Sequence, residues 1–273
     1  EYLDLWWQTR GGGEWNDAAL YLVTARENGK LVGAAPLFFT PDHQGAPCLM
    51  LVGSVEVSDY LDVLAEEDDL QAFLDGLMPF ISGQDMPRWK RLDWYNLPDE
   101  SPTLVALEVA VRQHGWSFDS RPVQPSPYIT LPGNWEDYLM NIDKKQRHEI
   151  RRKLRRLEGA EVSARWYIVK EDDDLKAEMD TFMDMMVQDR DKQRFLTPVM
   201  RQHMFNTARF ARDAGILHLS FLEINGVKAA GKFCFEYNNN LLAYNSAVNY
   251  DYMDYSPGWV LLSYVLQWAN DEA

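Results

Sequence analysis

Residues 19–39, ALYLVTARENGKLVGAAPLFF, set two runs rich in β-branched and aromatic residues around Asn28-Gly29, and this pattern predicts a two-stranded hairpin. Residues 217–237, LHLSFLEINGVKAAGKFCFEY, follow the same plan around Asn225-Gly226, with Ala229-Ala230-Gly231 answering Gly33-Ala34-Ala35. After the first hairpin come a strand around Cys48 to Val52, the segment SDYLDVLAEEDD, and a helix near Leu70 to Ile81. After the second come the strand LLAYNSAVNY, a polar loop, and a helix from about Pro257 to Asn270. The recurrence predicts an internal duplication. Two unrelated hairpins sharing the common Asn-Gly turn would give the same local signal.

Between the two copies, Arg91 to Tyr95 reads as a strand, Ser101 to His114 as a helix ended by Gly115, and Trp116 to Ser120 as a strand. Arg121 to Pro127 carries three prolines and reads as a linker. From Tyr128 a short apolar run breaks at Pro132-Gly133, and the chain then reads as helix to Glu158, with Asn134 as N-cap. Ile150, Leu154 and Leu157 give this helix a narrow apolar stripe. Lys144 to Arg156 places eight Lys and Arg side chains in thirteen residues, a positive ridge beside that stripe. A strand near Val162 to Val169 follows, then an acidic helix start at Asp172-Asp173-Asp174, helices through about Arg190, and another from Pro198 to Ala214. Hairpins mixed with helices, rather than strict βαβ alternation, predict an α+β fold of two repeats, 1–127 and 128–273, each a mostly antiparallel sheet flanked by helices.

Residues 1–16 are rich in Trp and hold Gly11-Gly12-Gly13. No Gly-Lys-Ser/Thr follows, so the run is expected to be a flexible connection rather than a phosphate loop. The composition narrows the function. A net charge of -15 argues against an extended DNA-binding surface and makes the basic ridge stand out. Cys48 and Cys234 form no disulfide framework, which suits a reducing, cytoplasmic setting. No membrane span is expected. The five histidines lack paired spacing, so no metal site is expected. The chain starts at Glu1, which leaves open a removed signal or a trimmed N-terminus.

The order of strand, two helices, Asn-Gly hairpin, strand and helix resembles the GNAT acyltransferase fold. The segments GKLVGAAPL (29–37), SDYLDVL (58–64), YITLPGNWEDYL (128–139), KKQRHEIRRKLRRLE (144–158) and SPGWVLLSYVLQWA (256–269) are similar to tandem-GNAT proteins. Those are the CelD-like branch linked to cellulose and exopolysaccharide synthesis and the related FemAB-type proteins. Against that pattern both repeats look incomplete, the first at its start and the second at its end, and the tyrosine that often protonates the leaving thiolate in such enzymes has no assigned counterpart.

The resemblance implies an acyl-CoA-dependent N-acyltransferase, with acetyl-CoA or another acyl-CoA as co-substrate. The acceptor it implies is the amino group of a small molecule or sugar, such as an amino sugar of envelope or exopolysaccharide synthesis. It places the donor on the strand Leu241 to Tyr250 and the helix start Ser256-Pro257-Gly258-Trp259. Ser256, Gly258, Trp259 and Tyr244 are then the expected cofactor contacts, and Asn245, Tyr255 and Asp251 the expected catalytic residues. Unpaired N–H groups at a helix start favour an anion, Ser256 suits an N-cap and Pro257 suits the first helical position. The fuller glycine-rich loop of typical members is absent, and an ordinary helix start would read the same way. In the first copy Glu66-Glu67-Asp68-Asp69 would repel a pyrophosphate, so no CoA is expected there. Asp59, Tyr60, Arg147 and Arg151 are the expected substrate contacts, the first two in an acceptor cleft between the repeats. The competing readings are a FemAB-like ligase taking an aminoacyl group from tRNA, which an acidic pI of about 4.7 disfavours, and a non-catalytic binding module.

Overall fold

The computed structural model describes residues 2–55 and 57–272, which divide into two compact units, Glu1–Ser126 and Pro127–Ala273. The first runs α1 (Tyr2–Gly13), β1 (Ala19–Glu27), β2 (Lys30–His43), β3 (Ala46–Leu51), β4 (Leu64–Ala65), α2 (Glu67–Ile81), β5 (Arg91–Leu92) and α3 (Pro102–Gln113). The second runs α4 (Trp135–Asn141), α5 (Lys144–Glu158), β6 (Ala164–Ile168), α6 (Leu175–Met186), α7 (Arg190–Phe195), α8 (Pro198–Asp213), β7 (Leu217–Ile224), β8 (Val227–Tyr237), β9 (Asn240–Val248), a 3-10 helix (Tyr250–Tyr255) and α9 (Pro257–Asp271). The fold is α+β, two mostly antiparallel sheets flanked by helices.

Both Asn-Gly hairpins form, with positive φ at Asn28, Gly29, Asn225 and Gly226 as a turn of this kind requires. The two agree beyond the turn. Each carries one β-bulge, between Ala25 and Arg26 in the first and between Leu222 and Glu223 in the second. Counted from the turn asparagine these are the same position. A shared bulge pins register identically in both copies, which supports the duplication.

The third strand separates the copies. In the second unit β9 pairs continuously with β8 from Asn240↔Tyr237 to Val248↔Ala230. In the first, β3 pairs with β2 only as far as Leu51↔Leu37, and pairing resumes at β4 with Leu64↔Ala34 and Ala65↔Gly33. Residues 52–55 and 57–63 lie outside the sheet in between. This excursion is pinned by Trp15 Nε1 donating to Ser54 O at 2.9 Å, by Leu61 N donating to Asn96 O at 3.0 Å, and by Tyr2 Oη donating to Val57 O. At Gly53, with φ +116°, a Cβ would stand 2.5 Å from Leu61 Cδ2.

The core of the first unit joins Leu37, Leu49 and Leu51 to Leu74, Leu77 and Met78 of α2 and to Leu107 and Val111 of α3. In the second unit α9 lies over Leu222, Ile224, Ala229 and Ala230 through Val260, Leu261 and Val265. Phe182 of α6 packs on the other sheet face against Phe221 and Phe233.

Five local readings need correction. The helix expected to run unbroken from Asn134 to Glu158 stops at Asn141, because Asp143 accepts from the Lys145 and Gln146 amides and starts α5. Residues 116–120 form no strand; Trp116 instead packs edge-on against Trp89, ring centroids 5.1 Å apart. The strand expected at 91–95 pairs only over Arg91–Leu92. The helix expected to reach Arg190 ends at Met186, and Asp189 caps a separate short α7. The triple glycine is no flexible link: Arg10, Gly11 and Gly12 take left-handed backbone within α1, and a Cβ at Gly11 would meet Trp15 at 2.8 Å and Trp6 at 3.0 Å.

Candidate functional site

β9 is an edge strand in the order β6-β7-β8-β9, so one side of it is left unpaired by the sheet. Its register slips by one residue where Phe233 faces Asn245 and Cys234 faces Ala243, which leaves Tyr244 as the extra, bulged residue. A bulge re-aims neighbouring backbone and side chains out of the ladder, which is why bulges recur beside sites. The Tyr244 ring is held edge-on by Phe233 at 5.2 Å, and its backbone hydrogen-bonds the Cys234 thiol, which burial pushes up to about 11. The excursion 52–63 of the first unit interrupts the matching part of that unit's strand. Among the described residues, the second unit's third strand pairs without such an interruption.

Onto this edge α7 brings Lys192, a residue the sequence reading did not select. Its Nζ donates to Asn245 Oδ1 at 3.0 Å and to the Ser246 carbonyl. Asn245 Oδ1 also accepts from the Ser246 amide at 2.9 Å. Burial lowers the proton affinity of Lys192, nearby Asp189 raises it, and nearby Lys232 lowers it further, with the net shift downward. A second tie fixes the strand end, where Gln188 Oε1 accepts from the Tyr250 amide at 2.7 Å. Lys192 of α7 therefore holds β9 beside the bulge, and Gln188, between α6 and α7, holds the chain just past its end.

At the start of α9, Ser256 does not cap through its side chain. It takes left-handed backbone, φ 53° and ψ 49°, and its carbonyl accepts from the amides of Trp259 and Val260. The reason is the 3-10 turn that delivers the chain there, capped by Asn249 accepting from the Asp251 amide. Gly258 keeps an amide without an acceptor among the described residues, and a Cβ there would sit 3.1 Å from Val248 Cγ2 of β9. The missing side chain thus lets helix and strand close up and leaves the backbone bare. Trp259 is half exposed and carries the Lys153 ammonium 4.2 Å from its ring centroid. Tyr255 packs beside Tyr252 against the cluster under α9, and Asp251 is exposed on the 3-10 turn.

The other expected contacts are on other elements. Asp59 and Tyr60 are exposed in the excursion of the first unit, where the Tyr60 hydroxyl shares a hydrogen bond with Ser126 Oγ. On the basic ridge, Arg147 Nη1 donates to the carbonyls of Leu139 at 2.8 Å and Met140 at 3.3 Å, closing the C-terminus of α4. Arg151 pairs with Glu136 at 2.7 Å. Arg152 forks onto Glu149, holding that exposed carboxyl down at about 2. Lys144, Lys145 and Arg156 have no side-chain partner among the described residues, so the ridge stays positive.

Comparison with known proteins places this arrangement. Residues 144–273 match the acetyltransferase (GNAT) domain family. The GNAT-type match covers α5 through α9 and includes the bulged strand and the helix that follows it. Among solved structures, the crystal structure of FemX aligns with 97% of this chain and 79% of its own, at 11% identity and a TM-score of 0.61. A conserved protein of unknown function from Bacteroides thetaiotaomicron VPI-5482 aligns with 98% of this chain and 78% of its own, at 13% identity and a TM-score of 0.51. At such identities the likeness is one of fold. No curated protein matches the sequence. Among the described residues no His, Cys, Asp and Glu cluster could hold a metal ion, and no helix is long and apolar enough to cross a membrane.

Proposed function

We propose that the second unit is an acyl-CoA-dependent N-acyltransferase working at the bulged edge of β9. The observation that carries the reading is Lys192 Nζ held 3.0 Å from Asn245 Oδ1 beside the bulge of β9. A thioester laid along that edge would have its carbonyl beside a desolvated ammonium, which is worth more there than in water. The acceptor amine attacks the carbonyl carbon, the oxyanion forms beside Lys192, and the C–S bond breaks as the nitrogen sheds a proton. The leaving thiolate takes a proton from Lys192 or from Tyr255. Asn245 fixes the Lys192 ammonium in place, and Asp251 is the candidate carboxylate for receiving the amine's proton through water. For the carrier's pyrophosphate, the start of α9 offers the Gly258 amide and the Lys153 ammonium beside Trp259. An amino sugar is the proposed acceptor class.

Release of free thiol from acetyl-CoA in the presence of amino sugars tests this in wild-type protein and in Lys192→Met, Asn245→Ala and Tyr255→Phe. Loss of turnover in the first two, with folding intact, is expected. Equal rates in all four would remove the β9 edge from the chemistry.

The whole-chain likeness to FemX favours one second reading, a FemAB-like ligase that takes its aminoacyl group from tRNA. The unpaired Lys144, Lys145 and Arg156 would then meet RNA phosphates. Calorimetry separates the two: tRNA binding that weakens steeply with salt supports the ligase, and acetyl-CoA binding supports the acyltransferase.

A further inference from the structure

The two copies provide an internal control on what the sheet requires. Opposite one another on β1 and β2 stand Tyr21 and Leu37, then Val23 and Ala35, all packed in the apolar core of the first unit. Counted from the turn asparagine, the same four places in the second unit hold His218 and Cys234, then Ser220 and Lys232, paired in the same register. The architecture therefore accepts a fully apolar set here, and the second copy has replaced it with polar groups.

Two of those groups, His218 and Ser220, are buried without a hydrogen-bond partner among the described residues. His218 is 1% exposed and Ser220 0%, and neither His218 Nε2 nor Ser220 Oγ has a hydrogen-bond partner. Lys232 is half-buried and has no carboxylate or hydrogen-bond acceptor among the described residues. All lie on the sheet face that α9 covers. The His218 ring lies tilted against Trp268 of α9, centroids 4.6 Å apart, whereas Gly231 and Phe233, the neighbours of Lys232, face Phe182 of α6. Ser246 of β9 stands opposite Lys232 and is exposed, so the row opens to solvent on the side of the β9 edge. Buried polar groups are normally satisfied, and two unsatisfied ones in register with a lysine that has no counter-charge among the described residues make a donor set suited to an anion. Burial, and after it the Lys232 charge, lower the His218 pKa to about 4.

We propose that Lys232, Ser220 and His218 form a binding site for a small anionic group, a carboxylate or a phosphate, that enters over Ser246. The site is separate from the acyl-transfer reading and stands without it. It accounts for a lysine on a central strand that has no counter-charge, and for a hydroxyl and an imidazole nitrogen with no other purpose in the packing.

The test uses the full chain and reads the His218 ring signal by NMR, assigned by its loss in His218→Tyr. Inorganic phosphate and acetate are titrated in parallel at constant ionic strength. A saturable shift of the His218 signal is expected, weakened about tenfold or more in Lys232→Ala and in Ser220→Val, the residues of the first copy. Saturation by phosphate alone identifies a phosphate-bearing ligand, and saturation by acetate identifies a carboxylate. No saturable shift with either anion, or a shift that persists unchanged in Lys232→Ala, overturns the site. Lys232→Gln serves the same comparison should the alanine variant melt early. Thioester turnover plays no part in the readout, so failure of the acyl-transfer reading would leave this result intact.

Discussion

Lys192 on α7 and Asn245 on β9, 53 residues apart in sequence, meet through one hydrogen bond of 3.0 Å at the bulge of the edge strand. Removing the ammonium in Lys192→Met should lower kcat by about a hundredfold or more if it faces the developing oxyanion. Lys192→Arg should recover only part, because a planar guanidinium cannot hold both the Asn245 amide and the Ser246 carbonyl in the same geometry. Single-turnover kinetics on both variants, beside thermal melting, distinguishes chemistry from packing. A lysine that merely ties α7 to the sheet would shift melting and leave the rate alone.

His218 and His203 are buried, and burial is the first cause that depresses each from 6.5 to about 4. The unfolded chain binds these protons at the ordinary pKa and the folded chain does not. Stability should therefore be full above pH 6.5 and fall as pH drops from 6.5 toward 4, by up to about 3 kcal/mol per histidine. Urea unfolding at pH 7 and pH 4.5 measures the loss. His218→Tyr should flatten about half of that slope, and an unchanged slope would mean that His218 is not held neutral.

Gly33 of β2 lies against Phe73 of α2 so closely that a Cβ would stand 2.3 Å from the ring. Gly33→Ala should cost about 2–3 kcal/mol by overpacking, and Phe73→Leu in the same chain should return part of it. Denaturant midpoints of the two single variants and the double variant give the coupling. Additive effects would place the strain elsewhere.

Asp143 separates α4 from α5 by accepting from the Lys145 and Gln146 amides, at 2.8 and 3.0 Å. Asp143→Ala should cost about 1 kcal/mol, and Arg147→Ala a similar amount, since its guanidinium closes the last carbonyls of α4. Equilibrium unfolding checks both. Arg147→Ala should leave acetyl-CoA affinity unchanged if the side chain is committed to α4, and a lost affinity would return it to the ligand.

Ser220→Ala should stabilise the chain by about 1 kcal/mol, because it removes a buried hydroxyl that has no partner among the described residues and adds no volume. A rise in Tm of a few degrees is the expected sign. Destabilisation would mean that Ser220 Oγ has a partner in solution.

The sequence by itself determined the hairpins and the α+β order, because Asn-Gly turns and alternating apolar positions act over a few residues and need no distant partner. It also marked the Asn134 N-cap and the stripe of Ile150, Leu154 and Leu157 on the basic helix. Nothing local marks Lys192: within RDKQRF it is one charged residue among several, and only the packing of α7 on β9 singles it out. Nor does local sequence distinguish Arg147, which closes α4, from Lys144, whose side chain has no partner among the described residues. The bulge at Tyr244, the excursion that interrupts the matching strand of the first copy, and the vacant donors at His218, Ser220 and Lys232 all depend on which residues face each other across strands. That pairing is a long-range property, set by register and by the helices above the sheet, so only the tertiary structure could decide it.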